Sequence, residues 1–142
     1  MDRELDMIFE MANLRTENTN LQNCIYISSR EHSAGPRLKI FKQGNCKGDS
    51  ISVKLTSKKF EYIDKKNIFK DIDKKTITAV KQLIAAYEDI LLLFWFDADC
   101  IVDDEFKKKL ANFIKTGVKE QIIVGEECIG KLNKIRNKLK GV

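Results

Sequence analysis

Residues 37–63 read RLKIFKQGNCKGDSISVKLTSKKFEYI, and three stretches of this segment alternate apolar with polar side chains. Leu38 and Ile40 alternate with Arg37, Lys39 and Phe41. Ile51, Val53 and Leu55 alternate with Ser50, Ser52 and Lys54. Phe60 and Tyr62 flank Glu61. A period of two with one apolar side is the pattern of a strand that buries one face and leaves the other wet. Gly44 to Gly48 and Thr56-Ser57-Lys58 interrupt the runs, and connections this short make antiparallel hairpins. Upstream, CIYISS (residues 24–29) sets Ile25 and Ile27 against Cys24, Tyr26 and Ser28 in the same way. Gly35-Pro36 then fixes a turn and ends the ladder before Arg37. Four strands joined as a meander are expected.

Beyond residue 73 the period changes to that of a helix. Ile77, Val80, Ile84, Tyr87, Leu91 and Phe94 recur three or four apart, and Leu83, Ile90 and Trp95 widen the stripe. A stripe that broad predicts a mostly buried helix over 74–96, with Asp73 at its N-cap. A second helix is predicted over 104–116, with Phe106, Leu110, Phe113 and Ile114 as its face, Asp103 as its cap and Gly117 as its stop. After the short apolar run QIIVG, a third helix is predicted over 126–140, with the stripe Ile129, Leu132, Ile135 and Leu139. Its other face carries Lys131, Lys134, Lys138 and Lys140. Leu5, Ile8, Phe9 and Ala12 show helical spacing within 3–14, and TENTNLQN (residues 16–23) reads as a polar loop. The expected fold class is α+β: a four-stranded antiparallel sheet packed against two or three C-terminal helices, with a short N-terminal helix. One domain covers 1–142, with residues 1–20 as a helical arm and 118–142 as a basic C-terminal extension.

The chain has 142 residues, of which 43% are hydrophobic and 33% charged. That excludes wholesale disorder, and a chain of this size needs no metal or disulfide to fold. No apolar run is long enough to span a membrane. The amphipathic, acidic start does not fit a secretory signal, so a cytoplasmic protein is expected. Cys24, Cys46, Cys100 and Cys128 form no CxxC pair, and with a single histidine they are expected to be free, buried thiols. No metal ligands and no cofactor are expected. The net charge of +5 arises mainly from residues 35–75 and from the C-terminus, which suits a polyanion or an acidic protein partner.

The candidate binding residues fall into two groups. Arg30, Glu31 and His32, followed by Arg37, could hold a phosphate or carboxylate, or could pair among themselves as an ordinary loop. Tyr26, Arg37, Lys39, Phe41 and Lys54 project, by alternation, from the sheet face opposite Ile25, Leu38, Ile40 and Val53. Basic and aromatic side chains on one sheet face can take single-stranded nucleic acid. The same face could equally be covered by the N-terminal helix. Asp97, Asp99, Asp103, Asp104 and Glu105 lack the spacing of a calcium loop and read as helix caps and connections. No catalytic residue is assigned, and Trp95 with its neighbours reads as core.

Two segments, IYISSREHSAGPRLKIF and AYEDILLLFWFDADCIVDDEFKKKL, resemble small bacterial and phage-carried proteins grouped as domains of unknown function, over about residues 24–114. The resemblance implies a small α+β fold in a bacterial or mobile-element setting, and no activity. The reading drawn from that setting is a non-enzymatic binding protein that inhibits a host nucleic-acid-guided defence effector, in the manner of anti-CRISPR proteins. Its partner would be a nuclease effector or its ribonucleoprotein, with RNA or DNA reached through the basic faces. Two alternatives stand beside it. One is a nucleic-acid-binding regulator or antitoxin-like protein, using Lys39, Lys42, Lys54, Lys58 and Lys59. The other is a small enzyme built on His32 or the aspartates.

Overall fold

The computed structural model describes residues 13–29 and 35–141. The expected N-terminal helix and the trio Arg30, Glu31 and His32 lie outside the described residues, apart from Asn13 and Leu14 at the end of that helix. Those two form a strand instead.

The sheet has five antiparallel strands in sequence order: β1 (Asn13–Leu14), β2 (Ile25–Ile27), β3 (Arg37–Phe41), β4 (Ser50–Lys54) and β5 (Tyr62–Ile63). The four expected strands are there as a meander, and β1 adds an edge beside β2. The extra strand was hidden by the helical spacing of the residues before it. A two-residue strand carries no period of its own, and only its partner can reveal it.

Register explains the alternation. Leu14, Ile25, Ile40 and Ile51 lie in one cross-strand row, and Ile27, Leu38 and Val53 lie in the next. All seven are at most 1% exposed. Any one-residue slip would turn these rows to the opposite face, so burial fixes the pairing.

These rows join one apolar cluster with the buried face of α2 (Lys74–Phe96), including Val80, Leu83, Ile84, Leu91 and Phe94. Asp73 caps α2 as its position predicts, its carboxylate accepting from Lys75 N–H. TENTNLQN is not wholly loop, because Thr16–Thr19 form a single helical turn, α1. Helix α3 spans Phe106–Thr116 and ends at Gly117, whose φ of 76° is the left-handed conformation that glycine adopts without a Cβ penalty. Helix α4 spans Ile129–Leu139, entered through a 3-10 turn at Glu126–Cys128. Only Leu132 of its expected stripe is fully buried, and Ile129 is 48% exposed.

The cysteines correct the expectation of free thiols. Cys24 is paired with Cys46, and Cys100 with Cys128, each as a disulfide. The sequence separations of 22 and 28 gave no local signal. The partners meet because β2 lies beside the β3–β4 connection, and because the segment after α2 lies beside the entry to α4. No helix among the described residues is long and apolar enough to cross a membrane.

Tyr87 ties the connection between α3 and α4 to the body. Its hydroxyl donates to Glu120 C=O at 2.9 Å and accepts from Glu120 N–H at 3.0 Å, while its ring meets Phe113 edge-on. Burial pushes the Tyr87 phenol up, so it stays a neutral donor at physiological pH. Tyr87→Phe is expected to cost about 1–2 kcal/mol, because two backbone groups lose a partner in a half-buried place. The urea midpoint should fall with the slope unchanged.

Candidate functional site

The strand positions that alternate with the core define the second face of the sheet. Asn13, Tyr26, Lys39, Ser52 and Ile63 form its central row. Arg37 lies opposite Lys54, and Phe41 opposite Ser50. The structure therefore brings together Tyr26, Arg37, Lys39, Phe41 and Lys54, as the alternation implied. Tyr26 and Phe41 meet edge-to-face at 6.4 Å. Tyr26, Arg37, Lys39 and Phe41 are half-buried, and Lys54 is exposed.

Electrostatics separate these residues. Two like charges directly opposite each other on paired strands repel. Lys54 is compensated by Glu61 at 3.1 Å. Arg37 has no ion pair among the described residues. Its guanidinium lies 5.9 Å from the centroid of the Trp95 ring, a cation–π contact that supplies no hydrogen-bond acceptor. Trp95 is core, as expected, and serves as a floor for Arg37, a role its position in the sequence did not announce.

Three buried side-chain polar atoms lack a partner among the described residues: Asn13 Oδ1, Ser28 Oγ and Arg37 Nε. All three belong to positions that alternate with core residues. Ser28 continues the β2 pattern and, by extension of the β2–β3 register, stands next to Arg37. Buried polar atoms without partners are uncommon, and a concentration of them on one face asks for an explanation. Neither Asn13 nor Ser28 stood out in the sequence, because an unsatisfied atom is a property of packing.

The aspartates do not converge. Asp97 pairs with Lys131 at 2.7 Å, and Glu105 with Lys108 at 3.8 Å. Asp103, expected to cap α3, does accept from Glu105 N–H just ahead of the helix, although the helix itself begins only after Glu105. It is also a buried hub, 2% exposed. Its carboxylate takes Lys109 Nζ at 2.7 Å and the N–H groups of Glu105 and Ile123, both at 2.9 Å. Burial alone would raise its pKa. The Lys109 ammonium and the two backbone donors outweigh burial and hold the carboxyl below its ordinary value of 3.8.

A comparison with known proteins finds no matching family model, no matching curated protein and no matching solved structure.

Proposed function

We propose that this is a non-enzymatic binding protein whose outer sheet face takes an anionic, base-bearing strand, that is, single-stranded nucleic acid. One observation carries the reading: Arg37, a cation with no ion pair among the described residues, sits on the face that also holds Tyr26, Lys39, Phe41 and Lys54. Phosphate oxygens would accept from Arg37 and Lys54. Bases would stack on the half-buried Tyr26 and Phe41 rings. In a phage or mobile-element setting, the strand would be the guide or target held by a host defence effector. Binding there would make the protein an anti-CRISPR-like inhibitor.

The test is fluorescence anisotropy with a short single-stranded oligonucleotide at two salt concentrations. Affinity should fall as salt rises, because phosphate neutralisation releases counterions. Arg37→Ala should weaken binding about tenfold, or ~1.4 kcal/mol, and make the salt dependence shallower. Lys54→Ala should do less, since Glu61 already neutralises it. Wild-type protein that fails to bind at low salt, or an Arg37→Ala variant that binds equally well, removes the reading.

A second reading, a protein partner, is favoured by a separate feature. Val102, Ile123 and Ile129 are 53%, 55% and 48% exposed. Val102 N–H bonds Ile123 C=O, which sets those two residues side by side. Ile123 and Ile129 share a groove with Lys119 and Arg136. A partner held through such an apolar centre would survive nuclease treatment and moderate salt in a pull-down, whereas a nucleic-acid tether would not.

A further inference from the structure

The end of α2 and the start of α4 bring three metal-ligating side chains together. Asp97, Cys100 and Cys128 each offer one ligand atom, and those atoms lie within 4.8 Å of one another. Asp97 is the C-cap of α2, and Cys100 closes the 3-10 turn that follows, so both project from one short bend. Cys128 arrives at the entry to α4, where Gly125 N–H bonds Cys100 C=O and Cys128 N–H bonds Gly125 C=O. The scaffold is therefore set by backbone bonds and does not depend on the disulfide alone. Cys100 is fully buried and Cys128 is 6% exposed, while the Asp97 side chain is 32% exposed and opens the cluster to solvent.

We propose that, once the Cys100–Cys128 disulfide is reduced, these three residues form a binding site for a thiophilic divalent cation, with zinc as the best match. A cellular dithiol supplies the two electrons. It is oxidised to its own disulfide, and its two protons leave Cys100 and Cys128 as thiols. Zinc then displaces those two protons and binds two thiolates and the Asp97 carboxylate, and water completes a tetrahedron. Two sulfurs on one zinc stand about 3.8 Å apart. The cysteines need only separate from bonding distance, and nothing else must be brought in from afar. The charges also fit. Two thiolates and a carboxylate around a divalent cation leave one negative charge, and Lys131 stands 2.7 Å from Asp97 to balance it. The same three residues thus offer two alternative staples for α4: a disulfide under oxidising conditions and a metal under reducing ones.

The test uses the full chain reduced with a phosphine, which does not compete as a thiolate, and titrated with cobalt and then zinc. The reduced protein should take up one cobalt, with thiolate-to-metal charge-transfer absorption and the strong visible bands of tetrahedral cobalt, and zinc should displace it. The oxidised protein should show neither. Cys100→Ser and Cys128→Ser should abolish the signal, while a Cys24→Ser, Cys46→Ser double variant should retain it. Asp97→Asn is the variant that keeps the core intact, and it should weaken binding by at least the roughly ten- to hundredfold that follows loss of an outer-shell partner of a metal ligand. No thiolate band in the reduced wild type overturns the proposal. So does a band that survives Cys128→Ser, or an Asp97→Asn affinity equal to wild type.

Discussion

Replacing Asp103 by Ala is expected to lower the stability of the protein by about 3 kcal/mol, the lower end for breaking a buried ion pair. The lower end applies because Lys109 keeps 16% of its side-chain exposure and a second acceptor, Gln121 C=O at 2.9 Å. The two backbone N–H groups at Glu105 and Ile123 have no such recourse. Asp104→Ala, one residue along and exposed, should stay within about 0.5 kcal/mol. Urea midpoints of the two variants decide between a hub and a helix cap, since a cap would make neither change so large. The pH dependence has a definite sign. The folded carboxyl lies below 3.8, so its contribution is fully present above that value and is lost as pH falls through the lower folded one. Lys109 is held above its ordinary 10.5, chiefly by its hydrogen bond to Asp103, so its part is present below 10.5 and lost as pH rises through the higher folded value. The stability gap between wild type and Asp103→Asn should therefore be flat across neutral pH and shrink at both extremes. A gap that stays constant into acid would mean Asp103 is not ionised in the fold.

Asn23→Ala is expected to cost about 2–3 kcal/mol through the loss of three hydrogen bonds. The Asn23 Oδ1 accepts from Asp73 N–H at 3.1 Å and from the Thr76 hydroxyl at 2.9 Å, and its Nδ2 donates to Lys42 C=O at 2.9 Å. One side chain, 2% exposed, thus joins the approach to β2, the end of β3 and the first turn of α2. The fully buried Thr76 hydroxyl would be left without its partner. Thr76→Val should cost less, about 1 kcal/mol, because Asn23 retains its other two bonds. The double variant should cost less than the sum of the two singles, since both delete the same bond. Additive losses in urea unfolding would show that the two side chains are not coupled.

Strands β2 to β5, the long helix, its Asp73 cap and the Gly117 stop were legible in the sequence, because each is set by local period or by a residue's own backbone preference. The composition of the outer sheet face was legible too, since alternation alone places Tyr26, Arg37, Lys39, Phe41 and Lys54 together. What the sequence could not contain was pairing at a distance. Strand β1 exists only because Asn13 and Leu14 meet Tyr26 and Ile25. Asn23 read as loop, and its role depends on residues some fifty positions away. Asp103 read as a cap, and Ile123, arriving from a later segment, makes it a hub. The four cysteines read as thiols, and the fold sets them in two pairs. Period and propensity are properties of a few neighbouring residues. Satisfaction of buried polar groups, disulfide partners and the clustering of Asp97 with Cys100 and Cys128 depend on where the chain returns, and only tertiary packing decides that.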